Sequence, residues 1–325
     1  MSERDAWVST GRLAPPADVR RILEAVYAEV APVTVGENAR IYPALASADS
    51  QQLALCVVGT DGDVFACGDA DAGFAMMSVA KPFTFALLCA RLGPQQARRE
   101  LGVNATGHAF NAVEPVLGAP GGRTNPMVNA GAIATCSRLP GHGLEEQWTH
   151  LRDGLSAFAG RRLDLDEDLY ASVSATNFRN REITVALERQ GALVGDPAAA
   201  LELYTRQSCL LVTARDLAVM GATLADGGTN PVTGERVVGP ELCQPVLAAM
   251  AIAGMYEHSG DWLYDVGLPG KSGIGGGVVA VSPGKAGVAT FSPRLDTAGN
   301  SVRGVLAATR LAAELGLGLF TSLPA

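Results

Sequence analysis

Lysine is nearly missing from this sequence of 325 residues: it occurs only at Lys81, Lys271 and Lys285, and arginine carries almost every other positive charge. Aromatic residues are scarce at 6%, so the core is expected to be built from small aliphatic side chains. Basic runs are short (Arg98-Arg99, Arg161-Arg162, Arg179 to Arg181) and the net charge is −8, which argues against nucleic acid or an anionic membrane surface as partner. No stretch approaches the roughly 18 uninterrupted apolar residues of a membrane-spanning helix. The opening MSERDAWVSTGRLAPP lacks the apolar segment of a signal peptide, and the residues before about 15 read as disordered. Cys-x-x-Cys pairs are absent. Cys56, Cys67, Cys89, Cys136, Cys209 and Cys243 sit mostly in apolar runs and read as buried free thiols of a cytoplasmic protein. His108, His142, His150 and His258 are scattered without metal-ligand spacing, so no metal site is expected.

What is present suits one large globular unit or two interleaved subdomains. Residues 17–31 put Val19, Ile22, Val26 and Val30 on one helical face, ending before Pro32. LALCVV (53–58) reads as a buried strand, with Asp61-Gly62 turning the chain back to Val64 and Phe65. A helix is expected at about 78–92, and a mainly helical pattern runs on to about 265, broken by loops at 115–126 and 225–235. Strands return at 278–282 and 286–291 around the Pro283-Gly284-Lys285 turn, and 302–320 reads as a last amphipathic helix. The expected class is α/β (α+β), with a mainly antiparallel sheet built from both chain ends. Residues 1–70 and 266–325 would form the sheet-containing part, residues 71–265 an inserted, mostly helical part, with the active site between them.

The lysines carry the chemistry. Arginine cannot be deprotonated in a protein, whereas lysine shifts its pKa when buried. Lys81 follows Ser78 by three residues, nearly one helical turn, so hydroxyl and amine share a face. Pro82 is tolerated only in a first turn, which places Ser78 near a helix N-terminus, where the dipole favours a developing alkoxide. The flanking Met76, Met77, Val79, Phe83 and Phe85 would desolvate the amine and lower its pKa, as a general base near neutral pH requires. Ser-x-x-Lys alone arises by chance in many chains, commonly as a capping serine and a snorkelling lysine. Here it is joined by Lys271-Ser272-Gly273 before the strand at 278–282. That pair of motifs is the signature of penicillin-recognising serine enzymes. Lys285 reads as an ordinary turn residue. Gly275-Gly276-Gly277 lacks the frame of a phosphate loop.

The segments between these motifs resemble the serine-dependent glutaminases, which have the β-lactamase-like fold. The resemblance is carried by MMSVAKPF (76–83), NPMVNAGAIAT (125–135), RNR (179–181), the long run 203–235, MYEHSGDWLYDVGLPGKSGIGGG (255–277) and FSPRLDTAGNSVRG (291–304). It implies hydrolysis of the side-chain amide of L-glutamine, or of a close glutamine-like amide, through an acyl-enzyme. Ser78 would be the nucleophile and Lys81 its activator. Tyr204 and Tyr256 would stand near the serine, Asn129 and Asn180 would bind substrate, and the backbone N–H groups of Ser78 and Ile274 would hold the oxyanion. Without the resemblance, Asn129 reads as a turn residue and the two tyrosines as core. Serine, lysine and water suffice, so no cofactor is implied. The family commonly forms homodimers or homotetramers.

Two positions depart from the family pattern. Glutaminases carry Ser-Glu before the Arg-Asn-Arg, and that glutamate pairs with the substrate ammonium; Val173 stands in its place. The family's Tyr-Ile-Pro is here Ile41-Tyr42-Pro43, so Ile41 replaces the tyrosine and Tyr42 is expected to face elsewhere. Glu167 or Asp168 could compensate. The alternatives are an amidase whose substrate lacks a free α-ammonium, an acylating enzyme acting on a β-lactam, peptide or ester, and a catalytically silent binding protein.

Overall fold

A computed structural model describes residues 12–321. Most of the opening segment in which no signal peptide was found lies outside the described residues, as do all but 12–14 of the residues expected to be disordered. Leu13 and Ala14, by contrast, pack against the core.

Seven strands are present among the described residues: β1 (Ala54–Gly59), β2 (Val64–Gly68), β3 (Phe74–Ala75), β4 (Leu211–Val212), β5 (Gly270–Ser272), β6 (Gly277–Ser282) and β7 (Ala286–Phe291). Five make one antiparallel sheet in the order β2-β1-β7-β6-β5. The register is fixed by pairs such as Val57 with Val288 and Lys271 with Val279. β1 and β7 lie more than two hundred residues apart in sequence yet adjoin in the centre, so the sheet does draw on both chain ends. Both predicted hairpin turns form, with Gly62 and Gly284 at positive φ.

Period-two alternation sends Leu55 and Val57 to one face and Ala54, Cys56 and Val58 to the other. The first face is covered by the terminal helices Pro16–Val30 and Val302–Glu314, through Val19, Leu23, Val26, Ala307 and Leu311. All four residues read from the period of the first helix are buried. The last helix ends six residues earlier than expected: Gly316 turns the chain at φ 59, and Leu315 and Leu317 stay buried beyond the helix. The second face receives the helix Ala214–Ala225. Its approach is so close that a Cβ at Gly287 would sit 2.3 Å from the Ala218 carbonyl oxygen. Only glycine permits that contact.

The second face also opens onto the large helical cluster. At its centre the helix Lys81–Leu92 is buried at every position from Lys81 to Cys89, as an all-round apolar helix must be. Around it lie Asn129–Cys136, Leu144–Ala159, Phe178–Arg189, Pro197–Ser208 and Pro240–Ala253. No helix among the described residues is long and apolar enough to cross a membrane. All six cysteines are free, five of them buried and Cys67 partly so.

Lys285 is not an ordinary turn residue. Its side chain is buried and donates to the Gly316 carbonyl at 2.7 Å, tying the β6–β7 hairpin to the chain beyond the last helix.

Candidate active site

Ser78 lies in a short 3-10 turn, Met77–Ala80, one turn ahead of the α-helix that begins at Lys81, with Pro82 in its first turn. The two short strands hold this turn in place: β3 pairs with β4, and the Met76 N–H donates to the Leu210 carbonyl at 2.8 Å. Met77 has φ 45 and Tyr256 φ 57, and these are the only non-glycine residues at positive φ among those described. Such backbone is costly for L-residues and gathers at functional sites. Both flank the serine. On the other side the chain after β5 presses against the same turn, and a Cβ at Gly275 would meet the Ala75 carbonyl oxygen at 2.6 Å.

Lys81 is fully buried and has no acidic partner among the described residues. Its Nζ donates to Asn129 Oδ1 at 2.7 Å, and the rings of Phe110 and Tyr204 stand 5.9 and 5.8 Å away. Burial dominates, because an ammonium ion removed from water is disfavoured, and the pKa falls to about 7. The same oxygen of Asn129 accepts from the Tyr204 hydroxyl at 3.0 Å. A chain of amides continues outward: Asn129 Nδ2 donates to Asn180 at 2.8 Å, Asn180 to Asn177 at 2.6 Å, and Asn177 to Thr205 at 3.1 Å. Each of these groups is buried and paired, as buried polar groups must be to be tolerated.

Ser78 is close enough to Tyr204 and Tyr256 to lower both phenol pKa values somewhat against the larger effect of burial. Burial pushes both phenols well above their usual range, so both are neutral donors near pH 7. Tyr256 donates to the Ser272 carbonyl at 3.0 Å, and the nearby Ile274 backbone offsets a little of the upward push on its pKa. Lys271 Nζ sits 4.4 Å from the Tyr256 ring and donates to the carbonyls of Gly254 and Ser272 at 2.8 and 2.7 Å. Burial, with the Lys81 charge adding to it, holds Lys271 well below the ordinary lysine pKa.

The pocket before Ser78 thus brings together Asn129, Asn180, Tyr204 and Ile274 from four separate segments, with Lys81 joined to it through Asn129 and Tyr256 near Ser78. Both departures from the family pattern, Val173 and Ile41, also line it. The expectation for Tyr42 was wrong. Tyr42 keeps an extended backbone (φ −123, ψ 127), but the chain changes direction at Ile41 and Tyr42 on entering the short helix Pro43–Ala46, and both residues reach the pocket. The Tyr42 hydroxyl lies 3.5 Å from Asn177 Oδ1, and burial raises its pKa to about 12. Glu167 and Asp168 are exposed and do not line the pocket. Asn177, Thr205 and Phe110 were not singled out from the sequence. Asn177 had a signal, since it stands three residues before Asn180 at helical spacing. Thr205 had one too, adjoining Tyr204. Phe110 sits in an irregular loop, where periodicity says nothing.

A five-stranded antiparallel sheet with helices on both faces, and a Ser-x-x-Lys helix set against a Lys-Ser-Gly strand, defines the β-lactamase-like fold. Within that class the chain belongs to the glutaminase family, whose model matches residues 36–320, and is a glutaminase-type amidohydrolase. It is 54% identical to glutaminase 2 of Yersinia pestis over 98% of this chain and 94% of that protein. The glutaminase of Brucella canis is 47% identical over 89% and 91%. Among solved structures, the probable glutaminase ybaS superposes with a TM-score of 0.93 at 39% identity, covering 95% of this chain and all of that one. A probable glutaminase from Bacillus subtilis complexed with 6-diazo-5-oxo-L-norleucine gives 0.82 at 29% identity, covering 94% and 97%.

Proposed function

We propose that this protein hydrolyses the side-chain amide of glutamine to the carboxylate and ammonia through an ester on Ser78. The observation that carries the reading is an amine with a pKa of about 7, buried without a counter-charge three residues after the serine. Neutral Lys81 takes the Ser78 proton as Oγ attacks the amide carbon. The tetrahedral oxyanion is held by the backbone N–H groups of Ser78 and Ile274. The proton then passes to the amide nitrogen, the C–N bond breaks and ammonia leaves. Water attacks the ester, gives its proton back through Lys81, and Ser78 is released.

Tyr204 and Tyr256, neutral and against the hydroxyl, steady the serine and relay its proton. Asn129 and Asn180 bind the substrate's polar atoms. The site lies between a sheet part (1–70 and 266–325) and a helical part (71–265), which is supported by a serine on the helical side facing Ile274 on the strand side. Free cysteines support the cytoplasm as its location, and the family resemblance supports a homodimer or homotetramer.

The test is ammonia release from primary amides by wild type and Ser78→Ala, with adduct mapping after 6-diazo-5-oxo-L-norleucine. Release that depends on Ser78, with the adduct on Ser78, is the expected result. Release that survives Ser78→Ala would sink the acyl-enzyme.

A further inference from the structure

The charge inventory of the pocket sets its preference among glutamine-like amides. Among the residues lining it, Arg179 has the only charged side chain, and no carboxylate is present. The guanidinium sits at the rim, bonded to the Asn111 carbonyl at 2.9 Å and to Glu182 at 2.9 Å. Glu182 itself faces water and is not part of the lining. Val173, on the same lining, is buried in an apolar cluster with Tyr42, Leu169 and Met77. Ile41 lies beside them at the mouth and is 52% exposed.

A free α-amino acid brings one cation and one anion. The anion finds Arg179. On the lining the cation finds a hydrocarbon wall and no acid to offset its desolvation. An acyl group on the α-nitrogen removes that charge and adds apolar surface. Ile41 and Val173 offer such surface a seat, and Thr176 on the same lining, whose hydroxyl proton goes to the Ser172 carbonyl at 2.8 Å, keeps acceptor capacity for the new amide N–H.

We infer that the preferred substrate is a glutamine whose α-nitrogen is acylated and whose α-carboxylate is free, as in Nα-acylglutamines or a C-terminal glutamine of a peptide. The inference rests on the amidase reading above. Leaving a charge buried without its partner costs orders of magnitude in affinity, so kcat/KM should favour Nα-acetyl-L-glutamine over L-glutamine by at least about tenfold.

The experiment measures ammonia release from both amides with wild type, Ser78→Ala and Val173→Glu. The wild-type ratio decides the matter even where the glutamate variant does not fold. A ratio of about tenfold or more for the acetylated amide supports the inference, and Val173→Glu should then swing it back toward free glutamine by a similar factor. Ser78-dependent release with free glutamine equal or better overturns the inference and leaves the amidase reading standing. Absence of Ser78-dependent release from either amide overturns both.

Discussion

The floor of the pocket and its outer wall are built on opposite principles. On the floor, Lys81, Asn129, Tyr204, Tyr256 and Lys271 are buried and joined by hydrogen bonds to side chains or carbonyls. The wall around Val173 and Ile41 is apolar, and its outer edge is open to water. A buried network tolerates little change, because each lost partner leaves a desolvated polar atom behind. An apolar wall constrains shape and charge only weakly. The floor is therefore where the reaction is fixed, and the wall is where substrate preference can drift without harm to the chemistry.

The strongest way to break this contrast is at the serine. Ser78→Ala should lower kcat/KM by at least about a thousandfold, with the fold intact by circular dichroism. A smaller loss would mean that Ser78 does not form the ester.

Asn129→Asp tests why the floor holds no acid. A carboxylate 2.7 Å from Lys81 would favour the ammonium form and raise the pKa from about 7. Because the base must be neutral, the wild-type rate should rise as pH climbs through about 7. In the variant, that rise should move upward by at least about one pH unit, with activity near neutrality down by about ten- to a hundredfold. A pH–rate profile of unchanged midpoint would show that Lys81 is not the titrating base.

Lys81→Met should abolish turnover yet stabilise the fold. In the unfolded chain the amine binds a proton with a pKa of 10.5, but in the folded protein only with one of about 7. That difference opposes folding in full below about pH 7, fades between the two values and vanishes above 10.5. The variant's advantage in denaturant melts should follow the same course, large at pH 6 and small at pH 10.5. An advantage independent of pH would point to packing instead.

How far the sequence reveals this contrast depends on the kind of residue. Ser78 and Lys81 were legible because one helical turn and a proline fix their relation locally. β1, β6 and β7 were legible because apolar runs between turn residues are local too. β3 and β4 are two residues each, too short for any period to register, yet they set the strained turn at Met77. Lys285 in a turn motif gave no sign that its amine reaches Gly316, thirty-one residues on. Tyr42 was misread because one bend undoes the alternation that an extended segment would impose. The absence of acid from the pocket is a property of several segments together, and only the folded chain displays it.

The mildest test falls on the wall. Ile41 touches the pocket from an exposed position, and an aliphatic side chain there can make neither a hydrogen bond nor an ion pair. Removing it by Ile41→Ala takes away partial apolar contact, which acts equally on bound substrate and transition state. That is uniform binding, so KM should rise by about two- to fivefold while kcat stays within about a factor of two. Ser78 and Lys81 would be untouched, and the pH–rate profile should overlay that of wild type. A fall in kcat with unchanged KM would mean that the wall also orients the scissile amide, and the division between floor and wall would then be wrong.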